Sequence, residues 1–144
     1  MAADMEVTVD VSQLERFAAD LERLGDDARR GLCETVAKDL AKRMLAKVIH
    51  KTPVGQYPKG SGKVGGTLRR GWTTGPVERS GDTVSVDVHN DVEYAPYVEY
   101  GHRARGGRSW VEGRFMMTRS ADELVQEIPG IAEQSVERYL EGLE

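Results

Sequence analysis

The segment from Asp26 to Lys51 carries two apolar columns, each spaced by four residues. One runs Leu32, Val36, Leu40, Met44, Val48, and the other runs Cys33, Ala37, Ala41, Leu45, Ile49. A spacing of four keeps side chains near one side of an α-helix, drifting by about 40° per step because a turn takes 3.6 residues. Two adjacent columns make a broad stripe that sweeps around the rod. A small sheet can cover only part of it. Something else must cover the remainder, either a helix near the C-terminus or another subunit.

The rest of the chain supplies the candidates. Met5, Val7, Val9 and Val11 alternate with polar residues, which predicts a short strand. Ser12 then caps a helix, with Glu15 completing a capping box and Gly25 ending it. Thr52-Pro53 stops the long helix. Residues 53–66, rich in Gly and Pro, read as a long flexible loop. Thr67–Trp72 leads into a strand, Ser80-Gly81-Asp82 turns, and Val84, Val86 and Val88 alternate with polar partners. Tyr94–Gly101 reads as a short helical turn, and 102–113 as a second flexible loop. A C-terminal helical arm near 114–144 follows, broken or kinked at Pro129-Gly130. The order predicts an α+β fold: a small antiparallel sheet packed with a long helix in the N-terminal half and a kinked C-terminal helix. At 144 residues the chain is expected to form one domain, 1–144.

Composition narrows the function. One cysteine, Cys33, rules out an internal disulfide framework and points to a reducing cytoplasm. The first residues show neither the basic nor the apolar region of a signal peptide, and no run suits a membrane span. Charge is segregated. Residues 52–72 hold four basic residues and no acidic one, while 102–119 hold five basic and one acidic. Residues 120–144 hold seven acidic and one basic. Two Gly-rich positive segments and a negative tail suit contacts between subunits, or contact with phosphate.

Little in the sequence suggests catalysis. Lys59-Gly60-Ser61-Gly62-Lys63 imitates a phosphate loop, but Tyr57 stands where the first glycine belongs and Val64 where a hydroxyl should follow. His50, His89 and His102 pair at no metal-ligand spacing. Asp87, Asp91, Glu93 and Glu99 show no evident acid–base partner. No cofactor or metal is expected, and no enzyme activity. Tyr94, Tyr97 and Tyr100 recur at spacing three. Tyrosine joins an apolar ring to a hydrogen-bonding tip, so this turn serves an interface or caps the sheet core.

Three blocks carry a resemblance. Thr52-Pro53-Val54 with Gly66-Thr67-Leu68-Arg69-Arg70-Gly71-Trp72 resembles the P-V-x-T-G-x-L-R-x-S signature of tailed-phage neck proteins. Val88, Asn90, Val92 and Tyr94-Ala95-Pro96-Tyr97-Val98-Glu99-Tyr100-Gly101 are similar to that family's V-x-N-x-V-x-Y-A-x-Y-V-E-F/Y-G. Gly113-Arg114-Phe115-Met116 resembles the segment opening its last helix. The stretch 55–66 is longer than the family's, and Glu112-Gly113 stands where related chains often carry proline.

The resemblance implies a structural subunit of the virion neck, made in the host cytoplasm. It would form a homo-oligomeric ring, six-fold as the leading expectation, between capsid and tail. Its implied partners are head-closure or adaptor proteins and tail-terminator or tail-tube proteins, with at most non-specific contact to DNA in the channel. Candidate contact residues are Arg69, Arg70 and Trp72; Tyr94, Tyr97 and Tyr100; and Arg105, Arg108, Trp110 and Arg114. Burial in the core is the rival reading, above all for Trp72 and Tyr97. The acidic stretch 120–144 is expected to pack on a neighbour or on an adjoining ring, against basic segment 102–119, so that deleting 130–144 stops assembly without unfolding. The alternative function is a nucleic-acid-binding module using the two basic loops.

Overall fold

The computed structural model describes residues 5–8, 25–81 and 83–142. The helix expected from Ser12 lies outside them. Strand β1 (Met5–Thr8) precedes helix α1 (Asp26–Lys51) and a one-turn helix α2 (Thr67–Arg70). Strands β2 (Trp72–Ser80) and β3 (Thr83–Asn90) form a hairpin. Helix α3 (Ala95–Tyr100), strands β4 (Gly101–Arg103) and β5 (Trp110–Glu112), and helix α4 (Met116–Glu141) complete the chain. The fold is α+β.

The main sheet is antiparallel, in the order β1-β3-β2. Its central strand shows the alternation read from the sequence. Val84, Val86, Val88 and Asn90 are buried, while Thr83, Ser85, Asp87 and His89 are half-buried on the other face. A side-chain period of two places every second residue on the core face. The bulge between Thr74 and Val77 accommodates Pro76 on an outer strand, where a missing N–H is tolerated.

Helix α1 lies between this sheet and α4, which resolves the excess width of its stripe. Leu32, Val36, Leu40, Met44 and Val48 are buried, as are Cys33, Ala37 and Ala41; Leu45 and Ile49 are half-buried. Full burial of one Leu or Met side chain stabilises by about 1.5–3 kcal/mol. From the other side α4 contributes Met116, Met117, Leu124, Ala132 and Val136. The two helices run antiparallel: Lys47 faces Glu123 and Glu127, while Asp39 faces Ser135 and Arg138.

The structure refines four expectations. The C-terminal helical arm is the element that covers the remainder of the α1 stripe, because its apolar face closes the core against α1. Of the two readings of Pro129, a break is the one set aside: α4 runs on from Met116 to Glu141 with Pro129 inside it. Proline deprives the Val125 carbonyl of its intrahelical partner, but both residues are exposed, where water can serve that oxygen. The segment 102–113 is a β-hairpin and not a flexible loop, with Gly101 paired to Glu112 and Arg103 to Trp110. Residues 67–70, read as leading straight into a strand, first form a helical turn.

A chain ending at Pro129 should therefore unfold at markedly lower denaturant concentration, since it loses the buried Ala132, Ser135 and Val136. This reverses the sequence expectation; an unchanged midpoint would show that α4 past Pro129 is dispensable to the core.

The polar seam between the helices is pH-dependent. Lys51 and Lys47 hold the Glu123 carboxyl below its ordinary value of 4.5. A lowered folded pKa stabilises above the ordinary value, and the gain disappears as pH falls through the folded one. Hydrogen bonding to Glu127, then to Glu123, raises Lys47 above its ordinary 10.5, so its contribution is lost only as pH rises through that raised value. The melting-temperature gap between wild type and Glu123→Gln should be small, flat through neutral pH, and closed well below pH 4.5.

Candidate interaction surface

Three buried polar residues hold the chain's crossings. Thr52 ends α1, and its carbonyl accepts from Arg69 Nε at 3.2 Å and Nη2 at 2.7 Å. Its hydroxyl donates to the Val48 carbonyl and accepts from Trp72 Nε1 at 2.7 Å. Asn90, at the end of β3, donates to the Leu68 carbonyl at 2.7 Å and accepts from the Val92 N–H at 3.0 Å. Each buried polar atom thus has the partner that burial demands.

The third is Glu99, fully buried in the last turn of α3. Its carboxylate accepts from the Met117 N–H at 2.9 Å, the Thr118 N–H at 2.9 Å and the Thr118 hydroxyl at 2.8 Å. These are first-turn donors of α4, which have no carbonyl partner of their own. Phe115, the capping residue, sits in the left-handed region at φ 48° and offers no side-chain cap. Glu99 performs that capping from another helix, and its charge suits the positive end of the α4 dipole. Backbone bonds reinforce the junction: Arg114 N–H donates to Val98 at 2.7 Å and Phe115 N–H to Glu99 at 3.0 Å.

With Ala95 and Glu99 turned inward, α3 presents its tyrosines outward. Tyr94 is 45% exposed, and Tyr97 and Tyr100 are each 59% exposed. The hairpin that follows adds Trp110 at 55% and Val111 at 42%. Its root is a close crossing. A Cβ on Gly113 would lie 2.4 Å from the Glu99 carbonyl oxygen, and Gly101 has φ +88°. Its turn is closed by the Ala104 N–H to Ser109 carbonyl bond at 2.8 Å. His102 packs edge-on to Tyr97, ring centroids 6.0 Å apart. Arg103, Arg105, Arg108 and Arg114 are exposed on and beside the hairpin.

The structure therefore divides the sequence candidates. Tyr94, Tyr97, Tyr100, Arg105, Arg108, Trp110 and Arg114 belong to one continuous stretch, 94–114, of exposed aromatic and basic groups. Trp72 does not: it is buried with its indole bonded to Thr52. Arg69 is spent on the Thr52 carbonyl, and Arg70 bonds the Gly65 carbonyl at 3.2 Å within its own loop. Reasoning from the sequence missed Val111 as a surface group and Glu99 as the frame. The signal for Glu99 was available, since it follows the buried Ala95 by four residues on one helical face.

Such a surface can hold a macromolecular partner: broad, aromatic, cationic and mounted on a fixed frame. Two clefts, of about 520 and 590 Å³, lie elsewhere; Arg79 in the first is paired with Glu34, and Asp39 in the second with Arg138. Among the described residues no His, Cys, Asp or Glu cluster could hold a metal ion. No helix among them is long and apolar enough to cross a membrane.

Residues 15–101 match the family model described as "Bacteriophage HK97-gp10, putative tail-component". No curated protein and no solved structure matches the chain.

Replacing Glu99 with Ala should destabilise the fold by about 3 kcal/mol or more, because buried donors lose their acceptor. Glu99→Gln keeps one acceptor oxygen and should cost less. Chemical denaturation of the two variants measures both; equal stability to wild type would remove the capping role.

Proposed function

Because the chain belongs to the HK97-gp10-like family of phage tail components, we propose that it is a ring-forming subunit of the virion neck. In this reading it joins the DNA-filled capsid to the tail and surrounds the DNA channel. It acts by assembly and not by catalysis. Its neighbours are copies of itself, head-closure or adaptor proteins, and tail-terminator or tail-tube proteins.

The observation that carries the reading is the exposure of Tyr97, Tyr100 and Trp110 on a frame locked by Glu99. Large aromatic rings left in water cost hydrophobic free energy that a partner recovers. Their mounting is rigid, so little ordering cost remains at assembly. Arginine beside aromatic rings is also the composition of interface hot spots.

Native mass spectrometry over a concentration series, with and without DNA, tests the proposal. Discrete closed oligomers that ignore DNA are expected. A monomer that shifts only with DNA, and releases it in salt, would favour the nucleic-acid-binding module instead. Tyr97→Ala combined with Trp110→Ala should weaken association by about 2 kcal/mol or more, with folding stability within about 0.5 kcal/mol of wild type. Undiminished assembly of that variant would rule the aromatic surface out as the contact.

A further inference from the structure

We propose that the arginine tip of the β4–β5 hairpin docks on the outer face of α4 of a second copy of this chain, joining subunits head to tail. The inference rests on the ring reading above and names the surface that the neighbouring copy offers.

Helix α4 has two acidic faces with different fates. Glu123 and Glu127 face α1 and are paired with Lys47 and Lys51. Asp122, Glu133 and Glu137 are exposed. The step from residue 122 to 133 spans about three helical turns, so Asp122 and Glu133 share one stripe, with Glu137 a turn further on. Among the described residues none of these three carboxylates has an ion pair. Beside them stands Val125, 65% exposed, an apolar group with no place in the core. The face is thus acidic with an apolar element.

The hairpin is its complement. Arg105 and Arg108 are exposed at the tip and have no ion pair among the described residues, and Trp110 and Val111 stand beside them. Arginine meets carboxylate with paired, directional hydrogen bonds, and an aromatic ring covers an exposed valine.

Geometry sends this pairing outside the chain. The hairpin is rooted where Gly113 crosses Glu99, at the first turn of α4. Glu133 and Glu137 lie 17 and 21 residues beyond Met116, about 25 and 32 Å along the helix. Arg105 lies four residues past Gly101, so the tip's backbone reaches about 13 Å from the root, short of both. One subunit therefore presents the basic group at one end of α4 and Glu133 and Glu137 toward the other, while Asp122, six residues past Met116, lies near the hairpin's own root. Two different patches that fit each other make a heterologous contact, which closes into a ring when its rotation closes. A salt-screened attraction between them would also steer encounter.

The test uses two charge-reversed full chains. One carries Arg105→Glu with Arg108→Glu; the other carries Glu133→Lys with Glu137→Lys. Each alone should associate more than about tenfold more weakly than wild type, and wild-type association should weaken as salt rises. Mixed one to one, the reversed hairpin of one variant faces the reversed helix of the other, and the remaining contact, native hairpin on native helix, is unchanged. The mixture should form closed oligomers with an even number of subunits, read by native mass spectrometry. If a reversal unfolds the chain, the neutral pairs Arg105→Gln with Arg108→Gln and Glu133→Gln with Glu137→Gln replace it, and each should weaken association by the same criterion. Assembly of either single variant at wild-type strength would overturn the docking, as would a mixture that stays monomeric, while leaving the ring intact. A wild-type chain that stays monomeric at every concentration would overturn the ring reading and the docking together.

Discussion

A single buried carboxylate joins the two halves of this molecule. Taking a charge such as Glu99 out of water costs several kcal/mol even after relaxation. Three charge-assisted hydrogen bonds and the positive end of the α4 dipole offset that cost. The consequence reaches in both directions. Toward the C-terminus, α4 starts at Met116 despite a capping residue in a left-handed conformation with no cap of its own. Toward the N-terminus, the same side chain fixes the rotation of α3, and that rotation exposes Tyr97 and Tyr100. The candidate surface is the outer side of the residue that closes the inner junction.

The blocks that resemble the phage neck family acquire a physical meaning from this. Thr52, Arg69 and Trp72 form one knot at the end of α1. Asn90 ties β3 to the turn of α2. Glu99 ties α3 to α4. The signature positions Thr52, Arg69, Trp72, Asn90 and Glu99 therefore hold places where the chain crosses itself, and polar groups buried there have no tolerance for a missing partner. The tyrosines and the arginine beside Gly113 carry the signature to the surface at the hairpin, and Pro53, Val54, Thr67 and Arg70 carry it there at the first block. Contact between subunits is left to side chains around the frame, which can change without loosening it.

Charge follows the same division. Acidic residues on the inner side of α4 answer lysines on α1, and Arg79 answers Glu34 across the sheet–helix layer. These exposed or half-exposed pairs fix the seam more than they stabilise it. The groups left over, on the hairpin and on the outer side of α4, have no intramolecular counterpart among the described residues. Segregated charge along the chain thus becomes two separate surfaces of opposite sign.

Much was legible beforehand because it depends on local periodicity. A spacing of four over residues 26–51 determined a long helix and its excess apolar width. Alternation in Val84, Val86 and Val88 determined a strand with one buried face, and Ser80-Gly81 a hairpin turn. Tertiary structure decided what long-range pairing controls. It put Trp72 and Arg69 inside, because the acceptors they need lie on Thr52, 20 and 17 residues away. It turned 102–113 into a hairpin, since a short ladder shows no pattern until a glycine crossing anchors its root. It carried α4 through Pro129, because packing of Leu124, Ala132 and Val136 on α1 outweighs one lost hydrogen bond. Local pattern names the elements of this protein; which polar group each element must reach across the core decides what remains on its surface.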